Sequence, residues 1–119
     1  MADMMVDAKT DETVQVGIGP LSIADVVAVA RHGAPVRLTD AALAEIAKSR
    51  QIIEALADDV EPHYGISTGF GALATRHIPL ELRKQLQRSL VRSHAAGSGA
   101  EVEREVIRAL MLLRLSTLA

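Results

Sequence analysis

The sequence predicts a mainly α fold with a short two-stranded β element near the N-terminus. Apolar residues recur on one helical face in three stretches, 43–56, 82–90 and 101–108. Residues 14–18 instead alternate apolar residues with small or polar ones, which is typical of a half-buried strand. The 119 residues are enough for one modest domain.

Composition excludes several classes of function. The net charge of −2 gives no general attraction to nucleic acids or anionic membranes, and the absence of cysteine rules out disulfides and zinc-finger sites. The first residues lack the basic and apolar regions of a signal peptide, and no stretch approaches the ~20 apolar residues of a membrane span. We therefore expect a cytoplasmic protein with no nucleic-acid or membrane partner.

The N-terminal third carries local start and stop signals. Residues 1–12 lack apolar periodicity and are expected to form a disordered tail, so the folded part is 13–119. Ser22 and Asp25 have the spacing of a capping box at the start of the first helix, and Gly33 can close that helix in a left-handed conformation. Residues 35–38 are extended again and are expected to pair with the first strand.

Two further helices follow from caps and periodicity. Thr39 is a capping residue for a second helix that runs to about Ala57. Pro79 marks the entry to a third helix. One face of that helix is apolar and another is basic, with Lys84, Arg88 and Arg92 in line. This stripe fits either a phosphate-tracking surface or a solvated or subunit-facing helix side, and the lack of interleaved aromatic residues favours the second.

The last helix becomes apolar on nearly all sides after Ala109. The apolar residues there are Leu110, Met111, Leu112, Leu113, Leu115 and Leu118. A helix of this kind belongs inside a larger protein, so we expect the chain to stop at Ala119 within a core.

The loop at 63–71 contains the only tyrosine and the only phenylalanine of the chain, Tyr64 and Phe70. Its three glycines, Gly65, Gly69 and Gly71, allow positive φ angles and close backbone approach. One interpretation is a connection that two aromatic rings fix to the core. The other is a mobile segment that presents the Tyr64 phenol to a pocket.

Three motifs favour the second interpretation. Tyr64-Gly-Ile-Ser-Thr-Gly-Phe-Gly71, Leu90-Val-Arg-Ser-His-Ala-Ala-Gly-Ser-Gly99 and Val106-Ile-Arg-Ala-Leu-Met-Leu-Leu-Arg-Leu115 resemble, in order, the landmarks of the aromatic amino-acid ammonia-lyases. The resemblance covers roughly residues 14–119. Ser67 departs from the asparagine that is commonest in the family's loop.

The resemblance implies the front of the N-terminal domain of the all-α ammonia-lyase/fumarase-like helical fold, in a homotetramer. The family's electrophile is a methylidene-imidazolone that forms from an Ala-Ser-Gly triplet a short way downstream. We expect this chain to be truncated before that triplet and to be inactive alone. No metal is implied, and His32, His63 and His77 match no metal-ligand spacing.

The resemblance also assigns roles to residues. Tyr64 matches the catalytic base, on an active-site loop with Gly65, Gly69, Phe70 and Gly71. Ser93 and His94 match the substrate-binding pair of the histidine-specific branch, which releases ammonia from histidine and forms urocanate in histidine catabolism. A phenol keeps its proton at neutral pH, so the site has to stabilise the phenolate by hydrogen bonds or positive charge.

Alternatives remain for the residues and for the whole chain. By itself, Tyr64 fits a packed aromatic anchor, and His94 fits a helix cap or an interface residue. The chain fits a non-catalytic helical binding or regulatory module, or an ammonia-lyase or aminomutase that acts on tyrosine or phenylalanine.

Overall fold

The computed structural model describes residues 12–119. The elements in order are β1 (Val14–Val16), α1 (Ile23–Ala30), β2 (Val36–Leu38), α2 (Asp40–Asp58), a 3-10 turn (Gly71–Leu73), α3 (Leu80–His94) and α4 (Arg104–Leu118). The predicted mainly α fold with one two-stranded sheet is confirmed. The predicted tail, residues 1–12, lies outside the described part of the chain except for residue 12.

The chain divides into two compact units, and the boundary falls inside α2. The first unit comprises the described residues up to Ala47 together with Glu101–Ala119, and the second is Lys48–Ala100. The first therefore holds the sheet, α1 and α4, whereas the second holds the tyrosine loop (63–71) and α3.

The sheet of the first unit consists of β1 and β2 in parallel. Val14 pairs with Val36 and Val16 pairs with Leu38. Parallel neighbours need a crossover connection, and α1 with its flanking turns supplies it. The predicted pairing is confirmed, and its parallel direction follows from this short helical crossover.

The predicted cap of α1 is present. The Ser22 hydroxyl accepts from the Asp25 N–H at 3.1 Å, and the Asp25 carboxylate accepts from the Ser22 N–H at 3.0 Å. Hydrogen bonds from the Ser22 hydroxyl and backbone lower the pKa of Asp25 below its ordinary value. At the other end Gly33 has the predicted positive φ, +70°. The helix itself ends earlier, at Ala30.

The core of the first unit joins segments that are far apart in sequence. Its buried residues are Val14, Val16, Val29, Ala34 and Leu112. Two polar contacts add to this packing of α1 against α4. Arg108 Nε donates to the Val29 carbonyl at 2.7 Å, and Arg31 pairs with Glu105 at 2.8 Å. Arg108 thus satisfies a carbonyl in the last turn of α1 that has no partner within the helix.

The apolar half of α4 is only partly covered. Leu112 is buried, whereas Leu110, Met111 and Leu118 are each more than 60% exposed. An open groove of about 620 Å³ lies beside them, lined by Val29, Val36, Arg108, Leu110, Met111, Leu112, Arg114 and Leu115. The helix begins at Arg104 instead of Glu101, because Glu103 is extended (φ −54°, ψ 139°).

The second unit places α3 after the loop, as predicted, with Pro79 immediately before its first residue. Lys84, Arg88 and Arg92 are all exposed, which fits a solvated helix side. Among the described residues, no helix is long and apolar enough to cross a membrane, and no cluster of three potential metal ligands occurs.

The cap of α2 generates a first prediction. The Thr39 hydroxyl accepts from the Ala42 N–H at 3.2 Å. We expect Thr39→Ala to lower the free energy of unfolding by about 1 kcal/mol, because one N–H of the first turn loses its partner. Ser49→Ala, inside the same helix on its exposed surface, is the control and should have no destabilising effect. Urea unfolding followed by circular dichroism measures both, and equal stabilities would contradict the cap.

Candidate functional site

Two buried hydroxyl groups organise the tyrosine loop. Ser67 and Thr68 are both 0% exposed. The Ser67 hydroxyl accepts from the His63 N–H at 2.9 Å; the Thr68 hydroxyl accepts from the Gly65 N–H at 3.2 Å and donates to the Gly69 carbonyl at 3.0 Å. Sequence reasoning missed Thr68 and noted Ser67 only as a departure from a family motif. The available signal was the tendency of serine and threonine to bond nearby backbone in turns.

The loop glycines serve two different purposes. Gly65 (φ +71°) and Gly71 (φ +56°) adopt the predicted left-handed conformation. Gly69 does not have a positive φ, and it shows instead the close backbone approach that the sequence analysis also allowed for these glycines. A residue with a side chain does not fit at this position, because a Cβ on Gly69 would lie 2.7 Å from the Leu73 Cβ and 2.9 Å from the Leu73 carbonyl oxygen.

Tyr64 is presented to solvent. The residue is 64% exposed, and its ring stands edge-on to Phe70 with centroids 5.9 Å apart. The hydroxyl accepts one long hydrogen bond, 3.4 Å, from the Gly71 N–H. This exposure fits a packed aromatic anchor poorly. The arrangement leaves the phenol oxygen free to exchange a proton with a bound molecule.

The N-terminal side of the loop is held by a hydrogen bond between two side chains four residues apart in sequence. His63 Nε2 lies 2.8 Å from the Asp59 carboxylate. The hydrogen bond from His63, followed by one from the Glu61 N–H, lowers the pKa of Asp59 below its ordinary value. His63 is therefore part of the loop's support instead of a free surface residue.

The C-terminal side returns as an isolated antiparallel bridge between Thr68 and His77. The Ile78 N–H donates to the Ser67 carbonyl at 2.9 Å, and the Gly69 N–H donates to the Arg76 carbonyl at 3.0 Å. This bridge closes the loop, because it joins the segment after the loop to the segment that carries the two buried hydroxyls.

Side chains of α3 also bind backbone carbonyls of the loop and of the segments before and after it. Arg83 donates from Nε to the Ile78 carbonyl at 3.0 Å and from Nη1 to the Ala57 carbonyl. Gln87 Nε2 donates to the Gly65 carbonyl at 3.0 Å. Sequence reasoning did not identify either residue, because the bonds to Ala57 and Gly65 span 26 and 22 positions and no local pattern specifies them.

His94 is the last residue of α3 and is exposed, and its position at the helix end is as predicted. Its Nδ1 lies 2.9 Å from the Leu90 carbonyl and 3.0 Å from the Ser93 hydroxyl, which itself donates to Leu90 at 2.8 Å. A carbonyl can only accept, so Nδ1 must carry the hydrogen. In the neutral ring Nε2 is then an acceptor, and it has no hydrogen-bond partner among residues 12–119.

Comparison with known proteins identifies relatives. The family model described as aromatic amino acid lyase matches residues 21–119. A histidine ammonia-lyase from Streptomyces griseus is 64% identical over 107 residues, which are 90% of this chain and 21% of that protein. The chain therefore spans about a fifth of the length of this curated relative.

Solved structures of related enzymes share the fold. An ergothionase from Treponema denticola, crystallised with desmethyl-ergothioneine sulfonic acid, superposes with a TM-score of 0.85 at 30% identity. The match covers 90% of this chain and 22% of that one. A tyrosine aminomutase from Streptomyces globisporus gives a TM-score of 0.81 at 34% identity, covering 90% and 20% of the two chains.

The crowding at Gly69 generates a second prediction. We expect Gly69→Ala to destabilise the protein by about 1–3 kcal/mol and to speed tryptic cleavage after Arg76, because the new methyl group displaces Leu73 and its backbone. Gly19→Ala is the matched control, since a Cβ there meets nothing within 4 Å. Urea unfolding and timed proteolysis measure the two effects. Equal behaviour of the two variants would show that Leu73 moves away without cost.

Proposed function

Because the chain belongs to the aromatic amino acid lyase family, we propose that residues 13–119 are the N-terminal part of an enzyme that eliminates ammonia from L-histidine and releases urocanate. The observation that carries this proposal is the exposed Tyr64, whose hydroxyl has one long hydrogen bond, on a loop held by two buried hydroxyl groups. The 64% identity to a histidine ammonia-lyase supports histidine as the substrate.

Tyr64 is the catalytic base in this proposal. Its hydroxyl oxygen removes a β-hydrogen of the substrate, and a phenolate accepts that proton far better than a phenol does. Among the described residues, the Gly71 N–H donates a hydrogen bond to this oxygen at 3.4 Å. Further stabilisation of the phenolate comes from groups outside residues 12–119.

The electrophile comes from outside this sequence as well. The family generally uses a methylidene-imidazolone formed from an Ala-Ser-Gly triplet, and these 119 residues contain no such triplet. When present, such a group would supply the electrophile that makes the substrate amine a better leaving group. Tyr64 fits a site of this kind, because it is exposed and its side chain can face a group on another segment.

His94 recognises the imidazole ring of the substrate. Leu90 fixes the hydrogen on Nδ1, so Nε2 accepts a hydrogen bond from the substrate's ring N–H, directly or through a water molecule. Ser93 binds the same carbonyl as His94 and approaches Nδ1, and it therefore orients the ring. Exposure of both residues leaves room for a substrate.

The remaining loop residues support closure over the substrate. Gly65 and Gly71 absorb the backbone turns, Gly69 allows close packing on Leu73, and Phe70 sets the edge-on orientation of the Tyr64 ring. Closure expels water and fixes the distance between base and substrate. The intact enzyme acts in histidine catabolism as a cytoplasmic homotetramer in this proposal.

Two other functions remain to be distinguished. The likeness to a tyrosine aminomutase, at 34% identity, supports tyrosine or phenylalanine as the substrate, but less strongly than the 64% identity supports histidine. The exposed apolar residues of α4 favour a binding module without chemistry. A tyrosine or phenylalanine enzyme predicts low selectivity for histidine. A binding module predicts that replacement of Tyr64 changes no catalytic rate.

Removal of the Tyr64 hydroxyl tests the base. In the full-length enzyme, Tyr64→Phe should lower kcat by about 10²–10⁴-fold, while substrate affinity changes little, because ring packing on Phe70 is retained and the proton acceptor is lost. Urocanate formation from histidine is the measurement. Ser49→Ala removes a distant hydroxyl and should leave kcat unchanged. An unaltered kcat in Tyr64→Phe would reject the assignment.

Replacement of His94 tests substrate recognition. In His94→Phe, a histidine substrate faces an apolar wall, which costs about 1–3 kcal/mol for the unpaired ring N–H. A phenylalanine substrate has no such group, so the ratio of kcat/KM values should shift from histidine toward phenylalanine. Paired kinetics on both amino acids measure this ratio, with His32→Phe as the control. A constant ratio in His94→Phe would make His94 a structural residue.

A further inference from the structure

Two side chains one turn apart on α3 bind backbone carbonyls before, within and after the tyrosine loop. Arg83 donates to the carbonyls of Ala57 and Ile78, and Gln87 donates to the carbonyl of Gly65. Residues four apart share one face of a helix. This face of α3 therefore carries hydrogen-bond donors to the segment before the loop, to the loop itself and to the segment after it.

Gly65, the residue that follows Tyr64, is held by two hydrogen bonds. Its N–H donates to Thr68 from within the loop, and its carbonyl accepts from Gln87. A larger residue would not fit in its place, because φ is +71° and a Cβ would lie 2.9 Å from the Phe70 ring. Within residues 12–119, the bond from Gln87 is the only hydrogen bond to Gly65 from outside the loop.

Gln87 also lies on the same helix as the residue proposed to bind the substrate ring. Gln87 and His94 are seven positions apart in the continuous helix α3. That spacing is close to two full turns, so both side chains leave the same face, about 10 Å apart along the axis. One rigid element thus contacts the loop of Tyr64 through Gln87 and presents His94.

We infer that Gln87 is a positioning residue for the elimination reaction: its side-chain amide holds the Gly65 carbonyl and thereby sets the place of Tyr64 relative to a substrate ring bound at His94. This inference rests on the proposed function. Gln87 makes no contact with the substrate in this arrangement. Its effect passes through the backbone of Gly65 to the adjacent tyrosine.

The first test is Gln87→Met in the full-length enzyme, which keeps the length of the side chain and its helix preference but removes the donor. We expect kcat to fall by about 10- to 100-fold, because a displacement of the base by ~1 Å is enough for such a loss. KM should change less than about twofold, since ring recognition by His94 is retained. A wild-type kcat overturns the inference.

The second test asks whether the loss acts through Tyr64. In a Tyr64→Phe background, Gln87→Met should change the residual kcat by less than about twofold, because the group that Gln87 positions is already absent. A purely structural role would lower kcat by the same factor in both backgrounds. That additive result would overturn the inference even if the single variant is impaired.

Three variants control for the chemistry and for folding. Gln87→Lys keeps a donor and should retain most of the activity, whereas Gln85→Met, on a different face of α3, should match the wild type. Thermal unfolding and the assembly state are measured for each variant. If Gln87→Met does not fold, Gln87→Glu keeps the size and polarity without a donor. A wild-type kcat in Gln87→Glu likewise overturns the inference.

The outcomes separate this inference from the proposed function. Full activity of Tyr64→Phe would reject Tyr64 as the base, and the proposed function with it. A large loss in Tyr64→Phe combined with wild-type kcat in Gln87→Met would reject the positioning role alone.

Discussion

The tyrosine loop has few apolar side chains to bury, so its shape depends on hydrogen bonds to two buried hydroxyl groups. Ser67 and Thr68 occupy the positions that apolar residues occupy in an ordinary core. A buried hydroxyl without a hydrogen-bond partner lowers the stability of the folded state by about 1–3 kcal/mol. The folded loop is therefore strongly favoured in the conformation that satisfies both hydroxyls. The conformation they fix leaves the Tyr64 ring outside, edge-on to Phe70 and open to a substrate.

Helix α3 extends this constraint from the loop to the rest of its unit. Arg83 and Gln87 satisfy backbone carbonyls around the loop, and His94 ends the same helix with its Nδ1 bonded to Leu90. A helix is a stiff element, so groups attached to it keep their spacing. The fifteen-residue helix α3 thereby links the loop of the proposed base with the proposed substrate-recognition residue.

In the first unit, a small parallel strand pair forms its core by packing against two helices. Two strands of three residues cannot be stable alone, and α1 and α4 supply the apolar surface that covers them. Arg108 of α4 adds a hydrogen bond to the end of α1, where carbonyls lack helical partners. The exposed apolar residues of α4 show that this core covers only one side of that helix.

The sequence by itself determined the features that depend on near neighbours. The Ser22–Asp25 capping box, the Thr39 cap and the left-handed Gly65 and Gly71 all rest on interactions within about four residues, which local patterns encode. Resemblance of short motifs singled out Tyr64 and His94, whose roles stay predictions. Only the tertiary structure decided the packing of α1 on α4 and the bond from Gln87 to Gly65. The bonds Arg108–Val29 and Gln87–Gly65 join residues 79 and 22 positions apart, and no local period specifies which distant groups meet.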